Sequence, residues 1–300
     1  MTETITGITT ERPLIRSRAL GRFRIHALEG GVQRLDGGAM FGVVPKPLWE
    51  KRIPADARNR IPLGLRCLLV ETSDALVLID NGVGNKESDK FRGIYGIENA
   101  SAEGRTTRLE DALAAAGFTP DAVDIVIDTH LHFDHAGGNT CIDDAGTIGL
   151  AFPRARYVVQ KAELEFARWD NERTRASYLP HNFEPVVQAG RFDFVEGDVE
   201  IVPGIRVRRT PGHVPHHQSV IVSSEDETAC FLGDVAPTAA HLPLPWIMGY
   251  DVEPLVTLES KRSLLGDARR EGWLLVFEHD PVVAWGTLDP QEERPTLVEG

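Results

Sequence analysis

The sequence predicts an α/β protein, a four-layer αβ/βα sandwich of two mixed sheets packed face to face with helices outside. Two observations lead there. β-Prone runs with helical stripes between them occur in both halves of the chain. No Pro/Ser/Gly linker separates the halves, so the chain reads as one domain over 21–300 preceded by a flexible arm over 1–20. With 300 residues, 42% of them hydrophobic, there is ample material for a buried core.

Residues 1–20 lack periodicity, which leaves them an arm or a segment ordered only by packing on the body or on a partner. Folding proper is expected to begin at Phe23. Arg24 to Leu28, Leu65 to Glu71 and Ala75 to Ile79 are β-prone, the last two joined in hairpin fashion by Thr72-Ser73-Asp74, and these form a first sheet. Thr107-Arg108-Leu109-Glu110 has the capping-box pattern, and Leu109, Ala112, Leu113 and Ala116 give a helical stripe that stops at Gly117. The strand Ile125-Val126-Ile127 follows. The second half reads as a strand at Tyr157 to Gln160, a helix from Ala162 to Trp169, and strands at Val199 to Val202, Ile205 to Arg209, Ser219 to Ser223 and Ala229 to Leu232. A helix over Leu255 to Arg270 and a strand at Trp273 to Phe277 close the pattern.

Composition narrows the function. A formal charge of −13 repels polyanions, and no Lys/Arg run offsets it, so nucleic acid is not an expected partner. The start lacks the apolar region of a secretory signal, and no stretch approaches eighteen apolar residues, so no membrane partner is expected and the location is read as cytoplasmic. Cys67, Cys141 and Cys230 have no CxxC spacing and read as reduced core thiols.

The chemistry is concentrated in Thr129-His130-Leu131-His132-Phe133-Asp134-His135, directly after an apolar strand. A lone loop histidine is ordinarily a surface residue, but packing has no reason to set three histidines and an aspartate so densely. His130 and His132 sit two apart, so an extended backbone points both imidazoles to one side, where they can grip one ion. Asp134 and His135 fall in a turn, which redirects them towards a second ion. Thr210-Pro211-Gly212-His213, Leu232-Gly233-Asp234 and Phe277-Glu278-His279 each follow or end an apolar stretch and complete the ligand set. Asp234 is the natural bridge, because a carboxylate has two oxygens and can hold two cations about 3.5–4 Å apart. His213 and His279 complete the two shells. Zinc is the metal expected for this nitrogen-rich set, although manganese, iron and cobalt bind similar ones.

These residues resemble the metallo-β-lactamase-fold superfamily of metallohydrolases. The match runs through Leu78-Ile79-Asp80-Asn81-Gly82, HLHFDHAGGN at 130–139, TPGH at 210–213, LGD at 232–234 and the closing His279. The resemblance implies that His130, His132 and His213 bind a first metal, that Asp134, His135 and His279 bind a second, and that Asp234 bridges. It also implies that Asp80 is a buried carboxylate orienting a ligand imidazole, the plainer alternative being a surface turn residue before Asn81-Gly82. HLHFDHAGGN with TPGHVPHHQS looks most like the N-acyl homoserine lactonase and methyl parathion hydrolase branch. Lactonases of that branch carry a tyrosine three residues after the bridging aspartate. Here Pro237 occupies the position, so lactone hydrolysis is either absent or uses a different electrophilic group.

The expected function is hydrolysis of a carboxylic ester, lactone or organophosphate bond in a small apolar molecule, by a hydroxide shared between two divalent ions, with a phosphotriesterase side activity open to the same chemistry. Asp134 and Asp234 are the expected catalytic residues. By the resemblance, Asp134 also passes a proton to the leaving group. The alternative is a mononuclear iron oxygenase resembling persulfide dioxygenases, which needs one iron and makes little use of His135. His216 and His217 read as a polar loop rather than as ligands. Met40, Phe41, Trp49, Trp246, Ile247 and Met248 are either core or, with the segments Asp36 to Trp49 and Ala239 to Tyr250, an apolar wall over the metals. The arm at 1–20 offers a homodimer contact.

Overall fold

The computed structural model describes residues 13–292 and 297–299. In chain order the first half supplies β1 (Ile15–Leu20), β2 (Phe23–Asp36), β3 (Arg60–Glu71), β4 (Leu76–Ile79) and β5 (Ile125–Ile127), then a small hairpin of β6 (Thr140–Ile142) and β7 (Ile148–Leu150), then β8 (Arg156–Gln160) and β9 (Phe192–Val195). These make a sheet in the order β1-β2-β3-β4-β5-β8-β9, with the hairpin apart. Its first four strands pair antiparallel and β4, β5, β8 and β9 pair parallel, so the sheet is mixed.

The second sheet follows chain order: β10 (Val199–Val202), β11 (Ile205–Arg209), β12 (Gln218–Ser224), β13 (Glu227–Phe231), β14 (Leu274–Val276), β15 (Trp285–Leu288) and β16 (Leu297–Glu299). Its one parallel pair is β13 with β14, joined through the longest helix. The helices are α1 (Gly37–Phe41), α2 (Lys46–Trp49), α3 (Asp89–Tyr95), α4 (Arg108–Ala115), α5 (Lys161–Ala167), α6 (Glu184–Gln188) and α7 (Pro254–Glu271).

Strand periodicity builds the layers. Leu68 and Val70 of β3 face the second sheet, where they share a core with Val207, Val220, Phe231 and Val276. Cys67 and Leu69, one residue out of phase, face outward against Leu109 and Leu113 of α4. On the far side, Ile221, Cys230 and Leu275 pack against Leu264, Leu265 and Ala268 of α7. The order helix, sheet, sheet, helix is the sandwich the sequence predicts.

Three local expectations need correction. Residues 1–12 of the expected arm lie outside the described residues, but from Ile15 the chain is a strand, paired with β2 from Ile15↔Leu28 to Leu20↔Phe23. Arg16, Ser17 and Arg18 hide it in the sequence, because an edge strand needs few apolar residues and draws its order from its neighbour's hydrogen bonds. The capping box is only half formed. Thr107 makes no side-chain cap, and Glu110 instead accepts the Thr106 N–H at 3.1 Å. Gly117, at φ 92°, does mark the helix end. Of the cysteines, Cys67 and Cys230 are buried, whereas Cys141 on β6 is only half-buried. No helix among the described residues is long and apolar enough to cross a membrane.

Candidate metal centre

The ligand fragments follow β5, β11, β13 and β14, and the parallel or twice-reversed course of these strands brings their C-terminal ends to one edge. The turn before His213 depends on Gly212. Its φ is 132°, and a Cβ there would lie 2.2 Å from the Thr257 nitrogen. That close approach lets the Gly212 and His213 carbonyls accept the Glu253 and Val252 N–H groups, which locks the loop against the start of α7.

All seven expected ligands converge. His130, His132 and His213 form one buried group, and Asp134, His135 and His279 a second. Asp234 joins His130 and His135 in a third group that links the two. His213 Nε2 lies 3.2 Å from His132 Nδ1, and His279 Nε2 lies 3.2 Å from His135 Nε2. Two nitrogens bound about 2.05 Å from a tetrahedral ion stand roughly 3.3 Å apart, so both pairs have the spacing of shared ligation. Asp234 spans them, with Oδ2 3.1 Å from His213 Nε2 and 3.4 Å from His135 Nε2, and Oδ1 3.3 Å from His279 Nε2. Asp134 Oδ2 is 3.6 Å from His279 Nε2.

For His213, His279 and His135 the outer nitrogen is committed to an acceptor, which turns the inner one towards the centre. His213 Nδ1 faces Asp251 Oδ1 at 3.0 Å, and His279 Nδ1 faces the Gly64 carbonyl at 2.7 Å. Asp80 Oδ2 and Glu278 Oε2 both stand 2.9 Å from His135 Nδ1. Asp80 is therefore not a surface turn residue. It is fully buried, and it also accepts the Thr129 N–H and hydroxyl, each at 2.7 Å. Its φ of 51° is a strained left-handed conformation for a non-glycine residue.

The donor set fits divalent cations. His130 Nε2 and Asp234 Oδ1 are buried without a hydrogen bond, at a cost of about 1–3 kcal/mol for each group left so. Burial, reinforced by neighbouring imidazoles, holds His130 and His132 well below the usual histidine range, so both are neutral and have a lone pair to give. Burial alone would raise the Asp234 carboxyl, but His135, His213 and His279 pull it well below the usual range. Burial opposes a proton on His135, yet Glu278, Asp234 and Asp134 raise that imidazole well above its ordinary value. The carboxylates that hold a proton there would hold a metal ion in its place.

Several supporting residues have no signal in the sequence. Gln33 of β2 donates Nε2–H to Asp134 Oδ2 at 2.5 Å. Asp251 stands behind His213 but sits in no motif that marks it, and Glu278, though part of the Phe277-Glu278-His279 fragment, has no spacing that points it to His135. His217 is not a ligand: its Nδ1 pairs with Thr210 Oγ1 at 2.8 Å and its Nε2 accepts the Asp234 N–H at 3.0 Å. His216 lies away from the cluster against Phe166.

Above the ligands lies a cavity of about 190 Å³. Its lining includes the apolar Leu35, Met40, Leu63 and Met248, the candidate ligands Asp134, Asp234 and His279, and Tyr95, Arg173 and Tyr250. The two Gly/Pro-rich segments therefore do both things proposed for them. Met40 and Met248 face the cavity, while Phe41 stacks on Trp49 and on His241 with centroids 5.3 and 4.5 Å apart, and meets Trp246 edge-on. His241 ties the segments together through Thr238 Oγ1 and the Met40 carbonyl, both at 2.8 Å. Pro237 offers only its carbonyl, which accepts the His279 N–H at 3.0 Å.

Glu163 of α5 braces the motif from below by accepting the Leu131 N–H at 3.0 Å and the Tyr178 hydroxyl at 2.9 Å. Burial pushes its carboxyl up from 4.5 to about 7. A raised acid contributes stability that is full below about pH 4.5 and is lost as pH rises through about 7. Glu163→Gln, which stays neutral, is expected to match the wild type at pH 5 and exceed it at pH 8 by on the order of 1–3 kcal/mol. Urea unfolding at both pH values checks this, and an equal difference at both would show that the carboxyl does not titrate in this range.

Comparison with known proteins agrees with this geometry. The model of the Metallo-beta-lactamase superfamily matches residues 61–279. The N-acyl homoserine lactonase of Bacillus thuringiensis is 31% identical over 222 residues, which cover 71% of this chain and 80% of that protein. A probable metal-dependent hydrolase from Staphylococcus aureus superposes with a TM-score of 0.85 at 32% identity, over 94% of this chain and 99% of that one. An N-acyl homoserine lactone hydrolase, solved with the product N-hexanoyl-L-homoserine at its catalytic metal centre, superposes with a TM-score of 0.65 at 25% identity, over 88% and 94% of the two chains. By family model, sequence and fold together, the chain belongs to the metallo-β-lactamase superfamily.

Proposed function

We propose that the protein is a binuclear metal-dependent hydrolase that opens a carboxylic ester, lactone or organophosphate bond in a small, largely apolar molecule. The observation that carries this reading is the Asp234 carboxylate set between two facing imidazole pairs at one side of an apolar cavity. His130, His132 and His213 would hold one ion, Asp134, His135 and His279 the other, and Asp234 both. Two such ions supply a Lewis acid for the substrate oxygen and acidify water at neutral pH.

The chain's own residues do the rest. Met40, Met248, Leu35 and Leu63 take the apolar part of the substrate and exclude bulk water from the reacting bond. Gln33 fixes Asp134 through Oδ2, which leaves Oδ1 to take the proton given up by the attacking water and return it to the leaving oxygen. Ring opening of a lactone by this route yields the hydroxy acid. Asp80, Asp251 and the Gly64 carbonyl keep their imidazoles in the binding orientation. The similarity to N-acyl homoserine lactonases supports the lactone among these substrates. We take zinc as the native metal and the cytoplasm as the location, which the three free thiols suit. A homodimer would use the N-terminal segment, whose strand β1 is the open edge of the first sheet.

The test is elemental analysis of protein purified without added metal, combined with turnover of aryl ester, lactone, thioester and phosphotriester substrates. Two zinc ions per chain with ester or lactone hydrolysis are expected. A single iron, oxygen consumption and no hydrolysis would replace this reading with the mononuclear oxygenase.

A further inference from the structure

Beside its apolar residues, the cavity lining includes Tyr95, Arg173 and Tyr250, whose side chains carry hydrogen-bond donors. Arg173 holds the Gly249 carbonyl through Nη2 at 2.5 Å, which anchors the side chain across the gap between its own loop and the loop of Tyr250. Among the described residues it has no carboxylate partner, in a chain with 45 acidic residues against 32 basic ones. A guanidinium is planar and offers five N–H donors, so one carbonyl leaves most of the fork free. Tyr95 is held in place by Phe91 and Phe133, with centroids 4.5 and 4.7 Å away. Burial pushes the Tyr250 hydroxyl up to about 12 and raises that of Tyr95, so both remain donors at neutral pH.

Donor-bearing and methyl-rich residues in one lining match a molecule with an acceptor-bearing end and an alkyl body. The acceptor that satisfies a free guanidinium fork best is a carboxylate, bound through two parallel N–H···O contacts. We propose that Arg173, with the Tyr95 and Tyr250 phenols, binds a carboxylate at the end of the substrate remote from the reacting bond, so that the preferred substrates are anionic esters or lactones. This rests on the hydrolase reading of the same site and narrows its substrate class. Arg173 supplies the local positive charge that an anionic substrate needs on approaching a chain of net charge −13.

The test compares mono-4-nitrophenyl glutarate with 4-nitrophenyl pentanoate, which have the same chain length and differ in the terminal carboxylate, on the metal-loaded full-length protein. The wild type is expected to favour the glutarate ester by about tenfold in kcat/KM, a ratio that falls to about one in Arg173→Ala and recovers in part in Arg173→Lys. Calorimetry with glutaric acid monoanilide reads binding without turnover, and a roughly tenfold loss of affinity in Arg173→Ala is expected there too. A wild-type ratio of one or less, a ratio unmoved by the substitution, or anilide binding indifferent to Arg173 overturns the proposal. Hydrolysis of neither ester, with Arg173-dependent anilide binding intact, overturns the hydrolase reading and leaves the carboxylate site standing.

Discussion

Asp234→Ala is expected to lower the metal content below two ions per chain and to reduce kcat/KM by about 10³-fold or more, the scale on which a transition-state electrostatic contact is lost. The size follows from position. Asp234 is the carboxylate within 3.4 Å of ligand nitrogens in both groups, through His213 and His135 on Oδ2 and His279 on Oδ1. It is also the buried anion that His135, His213 and His279 hold ionised. Removing it leaves three imidazoles aimed at a gap and would deprive the two proposed cations of their shared counter-charge. Asp234→Asn keeps the shape and one acceptor oxygen but not the charge, so it should retain more metal than alanine and little more activity. Elemental analysis and steady-state kinetics decide the matter, with a folded far-UV spectrum as the control. Two bound ions and activity within tenfold of the wild type would remove Asp234 from the bridging role.

Arg66→Ala is the substitution expected to cost most stability, about 3–5 kcal/mol. Arg66 points from β3 into the interior and is fully buried. Its Nε meets Glu29 Oε1 at 2.8 Å and its Nη2 meets the same oxygen at 2.7 Å. Its Nη1 donates to the Phe277, Asp280 and Val283 carbonyls at 2.6, 3.2 and 3.2 Å. Those carbonyls bracket the turn between β14 and β15 that carries His279. The change therefore takes an ion pair from buried Glu29, strips a donor from three carbonyls and loosens the proposed ligand His279. For a chain of this size the melting temperature should fall by roughly 10 °C, and one of the two metals should bind more weakly. A loss below about 1 kcal/mol in urea unfolding would mean that water or a shifted side chain replaces the guanidinium.

The metal-site fragments were legible because their signal is local. His130, His132, Asp134 and His135 lie in one short segment after an apolar strand, and Gly212 and Gly233 mark turns whose positive φ values, 132° and 55°, place His213 and Asp234. The strands bordering the centre were legible for the same reason, since each is an apolar run that ends in a polar ligand. Edge strand β1 was not, because its order comes from hydrogen bonds to β2 rather than from its own residues. The supporting groups were equally hidden. Gln33 reaches Asp134 across 101 residues, Asp251 reaches His213 across 38, and Gly64 reaches His279 across 215. No spacing rule connects such pairs, since each is created when separate loops meet at one edge of the sandwich. Arg173, Tyr95 and Tyr250 likewise come from three different segments and become a set only around the cavity. By itself, then, the sequence determined the fold class and the set of candidate ligands that the fold brings together, because both depend on periodicity and on ligand type within a few residues. Only the tertiary structure decided which side chains orient those ligands and what the cavity offers a substrate, because side-chain hydrogen bonds and cavity shape depend on contacts between residues far apart in the chain.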